Sequence, residues 1–118
     1  MREAVIVDSV RTGLAKSFRG GFNQTRADDM TAHIIDALMD RNPEVDPQIV
    51  EDVILGCGYP EGAQGNNIAR TSAVLSKLPI QTAGTTVNRY CSSGLQTIAM
   101  AATQIQSGFA DCIIAGGV

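Results

Sequence analysis

Residues 84–95 read Gly-Thr-Thr-Val-Asn-Arg-Tyr-Cys-Ser-Ser-Gly-Leu. Thr85, Thr86 and Val87 are β-formers, and Leu95, Ile98, Ala102 and Ile105 then recur at helical spacing. Cys91 falls between the two patterns, where a strand turns into a helix. No formally charged residue occurs from Tyr90 to Ala110, which predicts a helix buried on most sides. A cysteine at such a junction faces the unpaired N–H groups and positive dipole end of the helix. That environment favours the thiolate, which is the nucleophilic form, and makes Cys91 the candidate to take an acyl group covalently.

Working outward, the remaining chain alternates between short apolar runs and helical patterns. Ala4 to Val7 is a continuous apolar run, expected as a strand buried on both faces. Arg11 to Phe22 carries three glycines and three basic residues and reads as a loop. Thr25-x-x-Asp28 has the form of a capping box with Asp in place of Glu. The helix it opens runs to about Arg41, with Ala27, Met30, Ile34, Ala37 and Leu38 as its apolar face and Asn42-Pro43 as its stop. Asp46-Pro47 starts a helical turn. Val53-Ile54-Leu55 is the second strand, followed by a glycine-rich loop over residues 56–65. Asn66 or Asn67 caps a helix to Leu78, with Ile68, Leu75 and Leu78 as core positions and Pro79 behind it. Gly108 ends the long helix, and Cys112 to Ala115 is the fourth strand. The order βαβαβαβ implies a mainly parallel sheet with helices on both faces, and ligand sites at the carboxyl ends of strands. Cys91 lies at such an end.

Composition excludes several classes. The 118 residues suffice for one domain; they are 44% hydrophobic, 4% aromatic and carry a net charge of −3. No basic patch suggests nucleic acid. Three cysteines without a C-x-x-C support neither a disulfide framework nor a metal site, and point to a reducing, cytoplasmic home. There is no signal-peptide pattern, and the charge-free stretch 90–110 holds too many Gln, Ser and Thr for a membrane span. Gly56-x-Gly58 invites a dinucleotide reading, but position 61 is Glu, and the motif does not follow the first strand. A small nucleotide-binding α/β domain is therefore the weaker alternative.

Most free cysteines are small buried hydrophobes, and that is the expectation for Cys57 and Cys112. His33, the only histidine, is expected on a solvated helix face. Around Cys91, Arg89 and Ser93 occupy the glycine positions of a hydrolase elbow, so that reading fails.

Val87-Asn88-Arg89-Tyr90-Cys91-Ser92-Ser93-Gly94-Leu95-Gln96 closely resembles the acyl-enzyme cysteine motif of the thiolases. Ile105-x-x-Gly108-x-x-Asp111 with Ile114-Ala115-Gly116-Gly117 resembles the segment that follows it, and Val10-Arg11-Thr12-Gly13 resembles the family's Arg-Thr-Pro opening, with Gly13 for Pro. Arg19-Gly20-Gly21-Phe22 looks more like the degradative branch, and Gly65-Asn66-Asn67 with Arg70 resembles the dimer-facing loop and helix. The likeness runs through the whole chain.

The resemblance implies a thiolase-like, five-layered αβαβα architecture, of which residues 1–118 are the first part of the N-terminal domain, truncated before the loop domain and the C-terminal domain. It implies an acyltransferase: reversible thiolytic cleavage of 3-ketoacyl-CoA, or condensation of acetyl-CoA, through an acyl-thioester on Cys91, whose backbone N–H serves the oxyanion. Coenzyme A thioesters are substrates, with no covalently bound cofactor and no metal. A homodimer or homotetramer is implied, with the Thr85–Val87 edge covered by a partner. The family histidine lies in a Gly-His-Pro context that His33 does not match, so this chain alone is expected to be inactive. The alternative is a non-catalytic module that keeps the fold for assembly.

Overall fold

Val53, Ile54 and Leu55 are almost wholly buried, and the sheet is built around them. The computed structural model describes all 118 residues. Its regular elements are α1 (Ala27–Arg41), β1 (Asp52–Gly56), α2 (Ile68–Leu75), β2 (Ala83–Val87), α3 (Ser93–Gln106) and β3 (Ile113–Gly117). The three strands are all parallel, in the order β2-β1-β3. With β1 in the middle, both its faces must be covered, and its side chains alternate between them. Val53 and Leu55 pack with Ile35 and Met39 of α1 and Ala69 and Ala73 of α2. Gly56, on the opposite face, lies against the start of α3. Helices therefore cover both faces of a parallel sheet, as the alternation predicts.

The first predicted strand is a correction. Ala4–Val7 is no part of the sheet, and Val5, Ile6 and Val7 are 72%, 79% and 73% exposed. A strand exists only through ladder bonds to a neighbour, and the backbone of this segment has none. It is tethered at its ends instead: Arg2 pairs with Asp111, and Asp8 accepts from Arg41 (2.9 Å) and Asn42 (2.9 Å).

Four local expectations also change. The Thr25–Asp28 capping box does not form, and α1 starts after Arg26 without a side-chain cap. Asp28 is buried and held in a fork by Arg26 Nε and Nη2 at 2.9 and 2.5 Å, so its carboxylate is used up sideways. The buried stripe of α1 is Thr31, Ala32, Ile35 and Met39, while Met30, Ile34 and Ala37 line an open groove of about 570 Å³ under residues 10–13. Helix α2 stops at Leu75, which is half exposed, because Ser76 takes the Ala73 carbonyl with its hydroxyl at 2.7 Å. The inward stripe of α3 is Ser93, Thr97 and Ala101, whereas Leu95 is 72% and Ile98 43% exposed. Small residues are required there because the helix sits directly on the backbone of β1.

The expected caps and helix stop stand. Asp46 caps a turn over Pro47–Ile49, and Asn67 caps α2. Gly108, at φ +76°, closes α3 with the paired bonds Gly108 N–H to Ile105 O (3.0 Å) and Phe109 N–H to Gln104 O (2.9 Å). No helix is long and apolar enough to cross a membrane.

Candidate active site

Strand β2 delivers the chain to the carboxyl edge of the sheet, where Asn88 and Arg89 turn it over. A single 3₁₀ turn, Tyr90–Ser92, then feeds α3. Cys91 is the middle residue of that turn and is exposed, whereas Cys57 is fully buried and Cys112 half-buried. Burial and the nearby Glu51 carboxylate push the Cys112 thiol up, as suits an unreactive packed residue. Of the three thiols, only Cys91 is fully open to solvent.

The turn is tightly specified. Tyr90 has a left-handed backbone, φ +47°, which costs a non-glycine residue about 1 kcal/mol or more. Its N–H donates to Asn88 Oδ1 at 2.9 Å. Ser92 returns both its N–H (3.1 Å) and its hydroxyl (2.9 Å) to the Arg89 carbonyl. The Arg89 guanidinium donates to Gln96 Oε1 in the first turn of α3. The Cys91 N–H enters none of these bonds.

Beneath the turn lie Gly56 and Gly58. A methyl group on Gly56 would stand 2.6 Å from Gly94 N and 2.7 Å from Ser93 Cβ, and one on Gly58 would stand 3.2 Å from the Tyr90 carbonyl oxygen. The end of β1 is thus a floor on which the cysteine turn rests, and α3 can enter only because two glycines leave room. Thr97 anchors the helix further along: its hydroxyl is shared between the carbonyls of Gly94 (2.7 Å) and Gly116 (2.9 Å). The Gly56-x-Gly58 pair had a readable signal after all: two glycines at and just beyond the end of a buried strand, matched by Ser93, Thr97 and Ala101 at helical spacing.

His33 is exposed on α1, in the same groove as Arg11, Asp29 and Arg41. That groove does not include Cys91, so the only imidazole and the exposed thiol belong to different regions.

Fold and site together describe an α/β domain that offers one exposed cysteine from a strand-to-helix turn at the carboxyl edge of a parallel sheet. Comparison with known proteins identifies the family. Residues 4–118 match the family model described as thiolase, N-terminal domain, and the chain belongs to the thiolase family. It is 45% identical over all 118 residues to a 3-ketoacyl-CoA thiolase of Idiomarina loihiensis, spanning 30% of that protein. It is 48% identical to a β-ketoadipyl-CoA thiolase of Acinetobacter baylyi, spanning 29% of it. It is 43% identical to a 3-oxoadipyl-CoA/3-oxo-5,6-dehydrosuberyl-CoA thiolase of Escherichia coli, again spanning 29%. The chain therefore covers about three-tenths of the length of these relatives, and all of it is matched.

Proposed function

We propose that residues 1–118 are the first part of the N-terminal domain of an acyltransferase that exchanges acyl groups between coenzyme A thioesters, with Cys91 as the nucleophile. One observation carries the reading: in a thiolase-family chain, Cys91 is the exposed thiol, set in a constrained turn at the carboxyl edge of the sheet.

The chemistry moves an acyl group from carbon to the Cys91 sulfur and then, by thioester exchange, to coenzyme A. The Cys91 thiolate adds to the 3-keto carbon of a 3-ketoacyl-CoA, and the carbonyl electron pair moves onto oxygen. The uncommitted Cys91 N–H is one donor for that oxyanion. As the carbonyl re-forms, the bond between C2 and C3 breaks, its electron pair stays on C2, and protonation there releases acetyl-CoA. A second coenzyme A thiolate attacks the acyl-cysteine, and Cys91 leaves as thiolate. Run backwards, the same steps condense acetyl-CoA. Sulfur suits both directions, because one thioester replaces another of similar energy.

The proton transfers need an acid and a base, and His33 lies outside the region of Cys91. The 118-residue chain alone is accordingly expected to give no turnover, with those groups supplied by other parts of the protein. The outer edge of β2 is unpaired, and we assign it to contact with a second copy in a homodimer or homotetramer.

The test is acyl capture by the intact gene product. After incubation with acetoacetyl-CoA and rapid acid quench, peptide mass spectrometry is expected to find an acetyl group on Cys91 and none on Cys57 or Cys112. A protein that turns over substrate with Cys91 unlabelled, or after Cys91→Ala, would refute the assignment.

A further inference from the structure

Ser93 sits two residues past Cys91, and only 3% of it is exposed. Its hydroxyl accepts the Arg89 N–H at 2.8 Å and donates to the Tyr90 carbonyl at 2.6 Å. The Ser93 backbone N–H donates to the same carbonyl. Gly58 supports that oxygen from below, with space for no side chain larger than its own hydrogen unless the carbonyl gives way. The Tyr90 carbonyl is therefore gripped from three sides.

The consequence follows from peptide geometry. The Tyr90 C=O and the Cys91 N–H are the two ends of one planar trans unit, and they point in opposite directions. Gripping the carbonyl inward aims the Cys91 N–H outward, on the side where the thiol is exposed. That N–H takes no part in the hydrogen bonds that fix the turn.

We propose that Ser93 is a positioning residue for acyl transfer: its hydroxyl holds the Tyr90–Cys91 peptide so that the Cys91 N–H faces the developing oxyanion. The inference rests on the reading of Cys91 as the acyl acceptor. Ser93 touches no reactant; it acts through the peptide plane. Removing its hydroxyl leaves the Arg89 N–H without its buried acceptor and the Tyr90 carbonyl with one donor fewer. The peptide is then held less firmly, while the thiol stays exposed.

Two reagents separate positioning from general damage. Acylation by acetoacetyl-CoA passes through an oxyanion, whereas alkylation by iodoacetamide is a displacement at carbon that forms none. In the intact gene product, Ser93→Ala is expected to slow acylation of Cys91 about 100-fold, the range for loss of one oxyanion donor. KM for the thioester should hold within about threefold, and Cys91 alkylation within about twofold, since neither depends on that donor. Ser93→Thr, which keeps the hydroxyl, is expected to recover most of the acylation rate. Should the alanine variant not fold, Gly58→Ala displaces the same carbonyl from below and is expected to give the same split between the two reagents. Acylation and alkylation falling together, or both staying unchanged, would overturn the role of Ser93. An absence of acyl label on Cys91 in the unmutated protein would instead remove the functional reading itself, and this role with it.

Discussion

Asp52 opens β1 with a carboxylate the fold does not satisfy. Its Oδ1 is buried without a hydrogen-bond partner, and its Oδ2 accepts from Thr85 Oγ1 at a long 3.4 Å. Burial pushes its pKa above the ordinary carboxylate range, against smaller opposing effects of the Val53 N–H and Thr85. The native state therefore binds this proton more tightly than the unfolded chain does. Stability from this group is present below the unfolded value, near 4, and is lost as pH rises through the folded one. Asp52→Asn removes the charge, and is expected to raise stability at pH 7 by about 1 kcal/mol, the low end for a poorly satisfied buried group. In urea denaturation the gain should shrink toward zero as pH falls to about 4. A gain of the same size at both pH values would mean that charge burial is not the cause. Residues of this kind are not legible in a sequence. The position of Cys91 was, because a strand-to-helix transition is visible in side-chain periodicity. Ser93 was not, because its work depends on where one peptide plane points, and periodicity carries no such information.

Among the elements, α2 is the one whose attachment depends most on a single side chain. Asn67 Oδ1 accepts the Arg70 N–H at 3.2 Å and the Thr86 hydroxyl at 2.7 Å, while its Nδ2 donates to the Gly84 carbonyl at 2.8 Å. The cap of the helix is thereby also its tie to β2. Asn67→Ala loses the cap and both strand bonds, and is expected to cost about 2 kcal/mol, above the ~1 kcal/mol of a typical cap. Asn67→Asp keeps the acceptor but loses the donor, and its denaturation midpoint should fall between the two; a midpoint equal to that of the alanine variant would show that the cap itself contributes nothing. The cap was readable to within one residue. The burial of α3 was not. A charge-free helix normally reads as buried, yet Leu95 and Ile98 face outward here and the inward stripe is Ser, Thr and Ala. Hydrophobic periodicity assumes that the larger side chains fill the interface; where a helix rests on strand glycines, close approach selects the small ones instead. The same limit explains Ala4–Val7: composition identifies a segment fit to be a strand, but only a neighbouring edge makes it one.

At the scale of the whole molecule, surface area is the deciding quantity. A self-sufficient monomer of 12.4 kDa is expected to expose about 6,100 Å². This chain exposes 7514 Å². The surplus, roughly 1,400 Å², exceeds the ~800 Å² that one partner contributes to a standard interface. Much of it is apolar: Val5, Ile6 and Val7 at the N-terminus, Leu95 on α3 and Phe109 beyond it are all more than two-thirds exposed. Both outer edges of the three-stranded sheet are also unpaired. Apolar patches and open edges on this scale associate unless covered. The isolated 118-residue chain is therefore expected to bind a hydrophobic dye and to sediment as concentration-dependent oligomers at tens of micromolar. If further chain or a second copy covers these surfaces in the intact gene product, it should do neither beyond forming one defined oligomer. Hydrogen exchange adds the location: outward amides of Ala83–Val87 should be slow in that oligomer and fast when it is diluted to subunits. A monodisperse, dye-negative monomer of the 118 residues would show instead that the chain satisfies its own surface, and would remove the physical reason for placing a partner along β2.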